Sequence, residues 1–503
     1  MEEMKRVKLA TRIFERMMRF SFLQPFGMRV ADTLFNMGAK KAQNETVAAM
    51  SAKFGFKSSQ VEFVNHHVSH AFSPIGFFNL HKKQGAFLVF TLDGYGDTLA
   101  GSVGIYENGR YSQLETVHYF DSLAWIYGAL THYMGMQMTE HEYKVMGLAA
   151  YPSHKYGDEL YAKKFKDLVD VEGGKMSLKH KTVNAHLYAE TVLRERLFME
   201  RFDNIAYAVQ KMAEEKVSSW VHSKIEKYKI GRIVCSGGLF MNVKVNKIIQ
   251  ELPQLEAAYF MPSSGDESLV IGSAFYLLEK AGLKGESKEV VYLGREYSQG
   301  EIDEFISQNC IEKKYDVQKP KSVDKEAAQL INDGMVVGRF SGKNEWGARS
   351  LGNRAIMAHP GHLECVDKIN HAIKSRDFWM PFAPSIIDSD FDSYAVNNGK
   401  APPYYMNTSF DTTKQGLECI KAATHRKDGT IRPNVVTASH NKAYRDTISE
   451  FRKLSGTGAV LNTSLNLHGY PMVGFLKELF FTMDNSDLDL CILEGYFLKK
   501  KRA

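Results

Sequence analysis

Cysteine is scarce in this chain of 503 residues, and its five copies (Cys235, Cys310, Cys365, Cys419 and Cys491) lie far apart with no C-x-x-C spacing. That excludes a disulfide framework and a thiolate zinc site, and it suits a reducing cytosol, so a cytoplasmic location is expected. No apolar run approaches the length needed to cross a bilayer, and the opening MEEMKRVKLATRIFERMMRF lacks the apolar core of a secretory signal. An excess of one charge is also missing: 64 Lys and Arg against 58 Asp and Glu leave a net charge of +6. A protein that binds nucleic acid by neutralising phosphates carries a denser basic stripe, so that partner is not favoured, and no membrane partner is expected. Internal repeats and low-complexity tracts are absent. What is present, 44% apolar and 24% charged residues, is ordinary globular composition, and the length implies two or three domains.

Hydrophobic patterning places the main elements. The first segment, to about Gly55, reads as helix from the spacing of Ile13, Met17 and Phe20. QGAFLVFTLD, residues 84–93, reads as a buried strand that ends in the glycine-rich turn DGYGD. Alternation from Gly101 to Val117, broken by Asn108-Gly109, predicts a β-hairpin. Residues 198–230 read as a long amphipathic helix, followed by the strand RIVCS and a double-glycine turn that opens another helix. That order is a βα unit of an α/β domain. The polar, Lys/Glu-rich stretch 284–320 is expected to link a domain over 1–283 to one over 321–503, which begins with helix DKEAAQLIND and strand MVVGRF.

His66 and His70 in NHHVSH stand at i and i+4, so a helix presents both imidazoles on one face, where they can chelate one divalent ion. Among 17 histidines such a pair also arises by chance, and His67 fits capping or packing. Asp93 follows the buried strand, and Asp266 in SSGDES precedes a helix that it can equally cap. Two His and two Asp would form a nitrogen and oxygen site open to iron, manganese or zinc.

Eight segments follow one another in the order NHHVSHA, TLDGYGD, EYKVMGLA, CSGGLFMNVKVN, PSSGDESLVIGSA, EWGARSLGNRAI, KSRDFWMPFAP and LNTSLN. Together, from about residue 60 to the C-terminus, they resemble the NodU/CmcH-type O-carbamoyltransferases. The resemblance implies an α/β protein of two catalytic domains. The first is similar to the tRNA threonylcarbamoyl-transferase domain on an actin-like ATPase (ASKHA) fold, and the second is a YrdC-like α/β domain. It implies a divalent metal, iron first and manganese or zinc as alternatives, held by His66, His70, Asp93 and Asp266. It places Gly237, Gly238 and Asn242 in a turn that embraces an adenosine. Glycine lets backbone approach a nucleotide closely, and an asparagine amide both donates and accepts. Lys144, in one block with Glu142 and Gly147, is expected to join His66, His70 and Asp93 in catalysis, although E-x-K on a helix is also an ordinary solvated ion pair.

In the second half, Lys374-Ser375-Arg376 and Ser464-Leu465-Asn466 resemble the K-x-R and S-x-N motifs of YrdC-like enzymes, which bind ATP and a small carbonate-type acid. Arg349, His425 and Arg432 add cationic or hydrogen-bonding groups within family motifs, and Asn462 stands in LNTSLN. Arginine forks suit phosphate oxygens, which ATP and carbamoyl phosphate both carry. The implied reaction forms carbamoyl-adenylate from carbamoyl phosphate and ATP with Mg2+, then passes the carbamoyl group to a hydroxyl of a sugar or secondary metabolite. Modification of tRNA or a DNA base shares this chemistry, and a non-catalytic subunit of a split enzyme is the other alternative. Two departures stand out. Met380 replaces the arginine of the family's R-P-F-A-P, and the chain starts after a hairpin that carries an H-D-A-S-type motif in relatives. The strand near Ala86 is therefore expected to show an unpaired edge, with the hairpin supplied by an upstream-encoded chain, or a homodimer formed.

Overall fold

The computed structural model describes residues 24–181 and 184–501, so the helical spacing of Ile13, Met17 and Phe20 lies outside the described residues. The chain divides into two compact units, Met1–Ser287 and Lys288–Ala503.

In the first unit, helix α1 (Gln24–Phe54) stops where expected, at Gly55 with φ of 72°. Its Asp32 meets His118 at 3.1 Å, and its Phe35 packs on Tyr119. Helix α2 (His66–Phe77) starts at Asn65, whose side chain accepts from the backbone N–H groups of His67 and Val68. Strands β1 (Phe87–Gly96), β2 (Leu99–Glu107) and β3 (Arg110–His118) follow. Asn108 and Gly109 take φ of 51° and 76°, as the tight hairpin between β2 and β3 requires. Next come α3 (Leu123–Tyr133), α4 (Glu142–Leu148), α5 (Phe202–Tyr228), β4 (Arg232–Ser236), α6 (Val243–Gln250), β5 (Ala257–Phe260) and α7 (Leu269–Lys280).

The sheet runs β3-β2-β1-β4-β5, antiparallel from β3 to β1 and parallel from β1 to β5. β1 therefore has no open edge: β2 pairs with one side and β4 with the other, which corrects the expectation of an unpaired strand near Ala86. Its run Phe87–Leu92 is buried throughout because both faces are covered. Thr91 on one face bonds His67 of α2, and Phe90 on the other packs edge-on against Trp220 of α5.

An ion cluster ties α5 to β3. Glu115 accepts from Lys224 at 2.5 Å, Lys227 at 2.8 Å and the Tyr228 hydroxyl at 2.6 Å, and Lys224 is only 2% exposed. Burial alone would push Glu115 up, but these donors bring it down to about 2. Glu115→Gln leaves a buried ammonium without its partner and is expected to cost about 3 kcal/mol of unfolding free energy in urea titration. In the wild type this contribution is present above the ordinary glutamate value of 4.5 and is lost as pH falls toward 2.

The second unit carries α8 (Gln299–Gln308), β6 (Tyr315–Gln318), α9 (Val323–Asn332), β7 (Val337–Phe340), β8 (Arg354–Ala358), α10 (Leu363–Ile369), β9 (Ala383–Ile387), β10 (Asn434–Val436), α11 (Ala438–Ser455), β11 (Ala459–Ser464), α12 (Leu476–Asp484), β12 (Leu490–Leu493) and β13 (Tyr496–Lys500). Eight strands form one mixed sheet in the order β10-β9-β11-β8-β7-β12-β13-β6. One face buries Val337, Met357 and Ile492 under Tyr444, Ile448 and Phe451 of α11. The other buries Phe340, Ile356 and Leu493 under Leu479, Phe480 and Met483 of α12.

The expected linker 284–320 is corrected here, because residues 299–318 belong to the second unit. α8 buries Ile302 and Ile306 and is opened by a Ser298/Glu301 capping box, and β6 pairs antiparallel with β13. The charged outer face of α8 makes a packed helix read as polar spacer. Among the described residues no helix is long and apolar enough to cross a membrane.

Candidate metal centre and active site

The ladder between β1 and β2 shifts register between Leu92 and Gly96, so Asp93 leaves the strand pairing at its carboxyl end. Asp93 Oδ2 lies 3.1 Å from His66 Nε2 and 3.1 Å from His70 Nε2. Asp266, in the short turn before α7, places Oδ1 3.7 Å from His66 Nε2 and 3.6 Å from His70 Nε2. One ligand atom from each of the four residues lies within 4.8 Å of the others. The four expected metal ligands thus converge from a helix, a strand end and a loop.

Outer contacts fix the ligands' orientation. Asp93 Oδ1 accepts from Gly94 N at 2.7 Å and Gly238 N at 3.2 Å, which leaves Oδ2 facing the imidazoles. His70 Nδ1 meets the hydroxyls of Ser236 at 3.4 Å and Ser268 at 3.3 Å. Asp97 Oδ2 accepts from His66 N at 2.7 Å. Such support keeps Nε2 of each ring and one oxygen of the buried carboxylate available to an ion. The centre is sealed at His70, whose side chain is 0% exposed, and open at Asp266, which is 71% exposed. Two carboxylates and two imidazoles are a donor set that fits a divalent transition ion.

Electrostatics agree with that chemistry. Burial opposes the charge of Asp93, but His66 and His70 outweigh it and hold the carboxyl well below its usual range. Burial lowers His70, and Asp266 with Asp93 more than reverses this. His67 is different: burial drives it down to about 4, against the bond to the Leu99 carbonyl. Its neutral ring donates from Nε2 to Leu99 O at 3.1 Å and accepts at Nδ1 from the Thr91 hydroxyl at 2.8 Å. It packs the helix onto the sheet.

Glycine is required at two positions here. A Cβ on Gly238 would stand 2.7 Å from Asp93 Oδ1, and one on Gly96 would stand 2.2 Å from the His66 ring. Gly96→Ala is expected to push His66 aside and reduce bound metal well below one ion per chain. Elemental analysis would show this, with circular dichroism unchanged.

Gly237, at φ of 103°, and Gly238 form the tight turn after β4, next to Asp93. Asn242 ends that turn and caps α6: its Oδ1 accepts from Lys244 N at 3.2 Å and Val245 N at 3.1 Å. The expectation that its amide both donates and accepts toward a nucleotide is corrected, since the oxygen is spent on the helix. Lys144 is buried on α4 and lies outside the quartet of ligands. Glu142 accepts from Thr139 N at 2.7 Å, so the E-x-K pair is no exposed ion pair.

In the second unit the K-x-R and S-x-N motifs meet. Lys374 Nζ donates to Ser464 O at 2.6 Å, Asn466 O at 3.0 Å and Asn466 Oδ1, and Ser464 Oγ donates to Asn466 Oδ1 at 2.7 Å. Burial and the charge of Arg376 push Lys374 well below the usual ammonium range. Arg432 is likewise pushed down by burial and by Arg349 and Arg376, so three guanidinium groups share one region. The Nε of Arg432 is buried with no partner among the described residues. Arg376 lies over the Phe382 ring. Asn462 donates to Ser350 O at 2.9 Å and so holds the segment next to Arg349, while its Oδ1 is buried without a partner among the described residues. His425 is buried in its own loop, with Nδ1 3.4 Å from Asp428.

Sequence reasoning missed Glu345. Its Oε1 accepts from the backbone N–H groups of Leu351, Asn353 and Arg354, shaping the loop that carries Arg349. The signal was its place in EWGARSLGNRAI. Asp97, Ser236 and Ser268 also passed unnoticed, because nothing local marks an outer contact.

Comparison with known proteins bears on the family of the chain. Residues 11–275 match the family domain described as Carbamoyltransferase N-terminus, and residues 328–500 match Carbamoyltransferase C-terminus. An uncharacterised protein of Methanocaldococcus jannaschii is 29% identical over 465 residues, covering 88% of this chain and 74% of that protein. Nodulation protein NolNO of Sinorhizobium fredii is 28% identical over 450 residues, covering 88% of this chain and 65% of its own length. The 3'-hydroxymethylcephem-O-carbamoyltransferase of Amycolatopsis lactamdurans is 26% identical over 244 residues, 48% of this chain and 44% of that enzyme. The solved structure of T. kodakarensis HypF overlaps 48% of this chain and 39% of its own at 15% identity, with a TM-score of 0.27, too little overlap to bear on the fold. With its N-terminal domain match alone spanning more than half of the residues, the chain belongs to the carbamoyltransferase family.

Proposed function

We propose that the chain is an ATP-dependent O-carbamoyltransferase working in two steps, one in each unit. In the second unit water cleaves carbamoyl phosphate to carbamate and phosphate. A carbamate oxygen then attacks the α-phosphorus of ATP, supplied with Mg2+, and pyrophosphate leaves, giving carbamoyl-adenylate. In the first unit an acceptor hydroxyl attacks the carbamoyl carbon, loses its proton, and AMP departs. The actin-like and YrdC-like folds, the cytoplasmic setting and a sugar or secondary-metabolite acceptor belong to the same proposal. The first unit's sheet of three antiparallel strands continued by parallel ones is compatible with the former fold.

The observation that carries this reading is the convergence of His66, His70, Asp93 and Asp266 on a space the size of one ion. A divalent ion held there, iron by resemblance, supplies Lewis acidity toward the carbamoyl oxygen. The chain's own residues do the rest. Gly94 and Gly238 aim Asp93, and the acceptor approaches from the open side at Asp266, where its proton passes to water. In the second unit the mutual repulsion of Arg349, Arg376 and Arg432 is relieved by an anion of phosphate type. Lys374, tied to Ser464 and Asn466, holds the floor of that site. Adenylation is chemically needed because free carbamate is a poor electrophile and AMP a good leaving group.

The test supplies ATP, Mg2+ and carbamoyl phosphate and measures pyrophosphate. Release that requires carbamoyl phosphate is expected. Its absence, with the chain loaded with iron and folded, would end this reading.

A further inference from the structure

Helix α5 carries a buried glutamine beside the nucleotide turn. Gln210 is 5% exposed, and the orientations of its amide and of the Asn242 amide are both defined by their partners. The reasoning starts at Asn242. Two backbone N–H groups, of Lys244 and Val245, point at one atom of its side chain, so that atom is the oxygen. Nδ2 is then the atom facing Gln210 Oε1 at 2.9 Å. The glutamine is fixed independently. Its Nε2 donates to the carboxylate of Glu214 at 2.8 Å and to Asn242 Oδ1 at 3.1 Å, and its Oε1 accepts from the Tyr127 hydroxyl at 2.9 Å. Tyr127 keeps its proton, because burial, with Glu142 and Glu214 nearby, pushes its phenol well above the usual range.

Both N–H groups and both lone pairs of Gln210 are thus in use. On Asn242 the oxygen accepts three bonds and one N–H is spent, so among the described residues a single N–H remains. We infer that Gln210 is a positioning residue: together with the backbone N–H groups of Lys244 and Val245 it locks the Asn242 amide so that this side chain donates to its ligand and does not accept from it. The matching ligand atom is a hydrogen-bond acceptor, such as a ribose oxygen or a ring nitrogen of a purine nucleotide. This rests on the proposed reading of the Gly237–Asn242 turn as a nucleotide site.

The test titrates AMP by calorimetry into the full-length, metal-loaded chain carrying Arg376→Ala, which disables the second unit's phosphate site. On that background Asn242→Asp, Gln210→Glu and Gln210→Leu are compared. Asn242→Asp keeps an oxygen for the helix cap and removes the N–H. Gln210→Glu keeps the volume and the acceptor but removes both donors. Each is expected to weaken AMP binding about tenfold per folded molecule, the effect of one lost hydrogen bond. A purely structural glutamine would lower melting temperature and leave affinity per folded molecule intact, which overturns the inference. Weakening by Asn242→Asp with none from either Gln210 variant also overturns it, while the nucleotide reading stands. If none of the three weakens AMP, the nucleotide reading of the turn fails, and the inference with it.

Discussion

His70→Ala abolishes carbamoyl transfer, by more than about 100-fold, while pyrophosphate release continues near the wild-type rate: that is the expected result of the two-site arrangement. His70 is fully enclosed, it faces both carboxylates of the quartet, and its other nitrogen is held by Ser236 and Ser268. Disturbing the outer partners of a metal ligand already costs 10–100-fold, on the order of what removing the ligand itself must exceed. No atom of the second unit depends on it in this scheme. Arg376→Ala has the converse effect. Each charged hydrogen bond to a phosphate contributes about 1.5–3 kcal/mol, so losing a bidentate fork slows pyrophosphate release by roughly 100-fold or more. Rates of the two partial reactions, measured on both variants, decide the matter. Equal loss of both reactions in both variants would show that the steps share one site.

One divalent transition ion per chain is the second expectation, falling to none in a His66→Ala/His70→Ala double variant by elemental analysis. Full occupancy in that variant would rule the centre out. The pH dependence has a definite sign. An ion needs neutral imidazoles and ionised carboxylates, so protons compete with it. In the metal-free chain Asp266 and Asp93 raise His70 above its ordinary value of 6.5, so the apparent affinity for metal starts to fall above that value on acidification. For the metal-free fold the sign reverses. The protonated His70 contributes stability that is fully present below 6.5 and fades as pH rises through its raised value. Melting temperatures of chelated and loaded protein should therefore diverge as pH increases.

What could be read from the sequence was mostly what a short stretch dictates by itself. Residues 84–93 are apolar on alternate and intervening positions alike, which only a strand covered on both faces tolerates, and β1 is that strand. Asn108-Gly109 supplied the positive φ that its hairpin needs. The i, i+4 histidines lie on one helix as their spacing implied. Long-range pairing was another matter. That β1 is central follows from β4, whose neighbouring Gly238 is 145 positions from Asp93. Nothing in residues 84–93 carries that information. The meeting of Asp93 with Asp266 came from family resemblance, since no spacing rule joins a strand end to a distant loop. α8 was misread as linker because its charged residues outnumber the two isoleucines that anchor it. Asn242 stands before a helix, where an asparagine oxygen is claimed first by backbone N–H groups, and the motif alone does not separate that oxygen from the N–H groups beside it. Gln210 looked like any polar residue on an amphipathic helix.

The parallel pairing of β1 with β4 has a consequence for biosynthesis. Asp266 follows Asp93 by more than 170 residues, so translation at about 5–20 residues per second separates the third ligand from the fourth by roughly 10–30 s. During most of that interval the nascent chain displays two imidazoles and one carboxylate without the Gly238 N–H that helps to aim it. Ions captured then would be held by a partial, exchangeable set. An ion bound by this quartet would accordingly be selected after the ribosome has delivered the first unit whole, by the cellular pool that the completed quartet encounters.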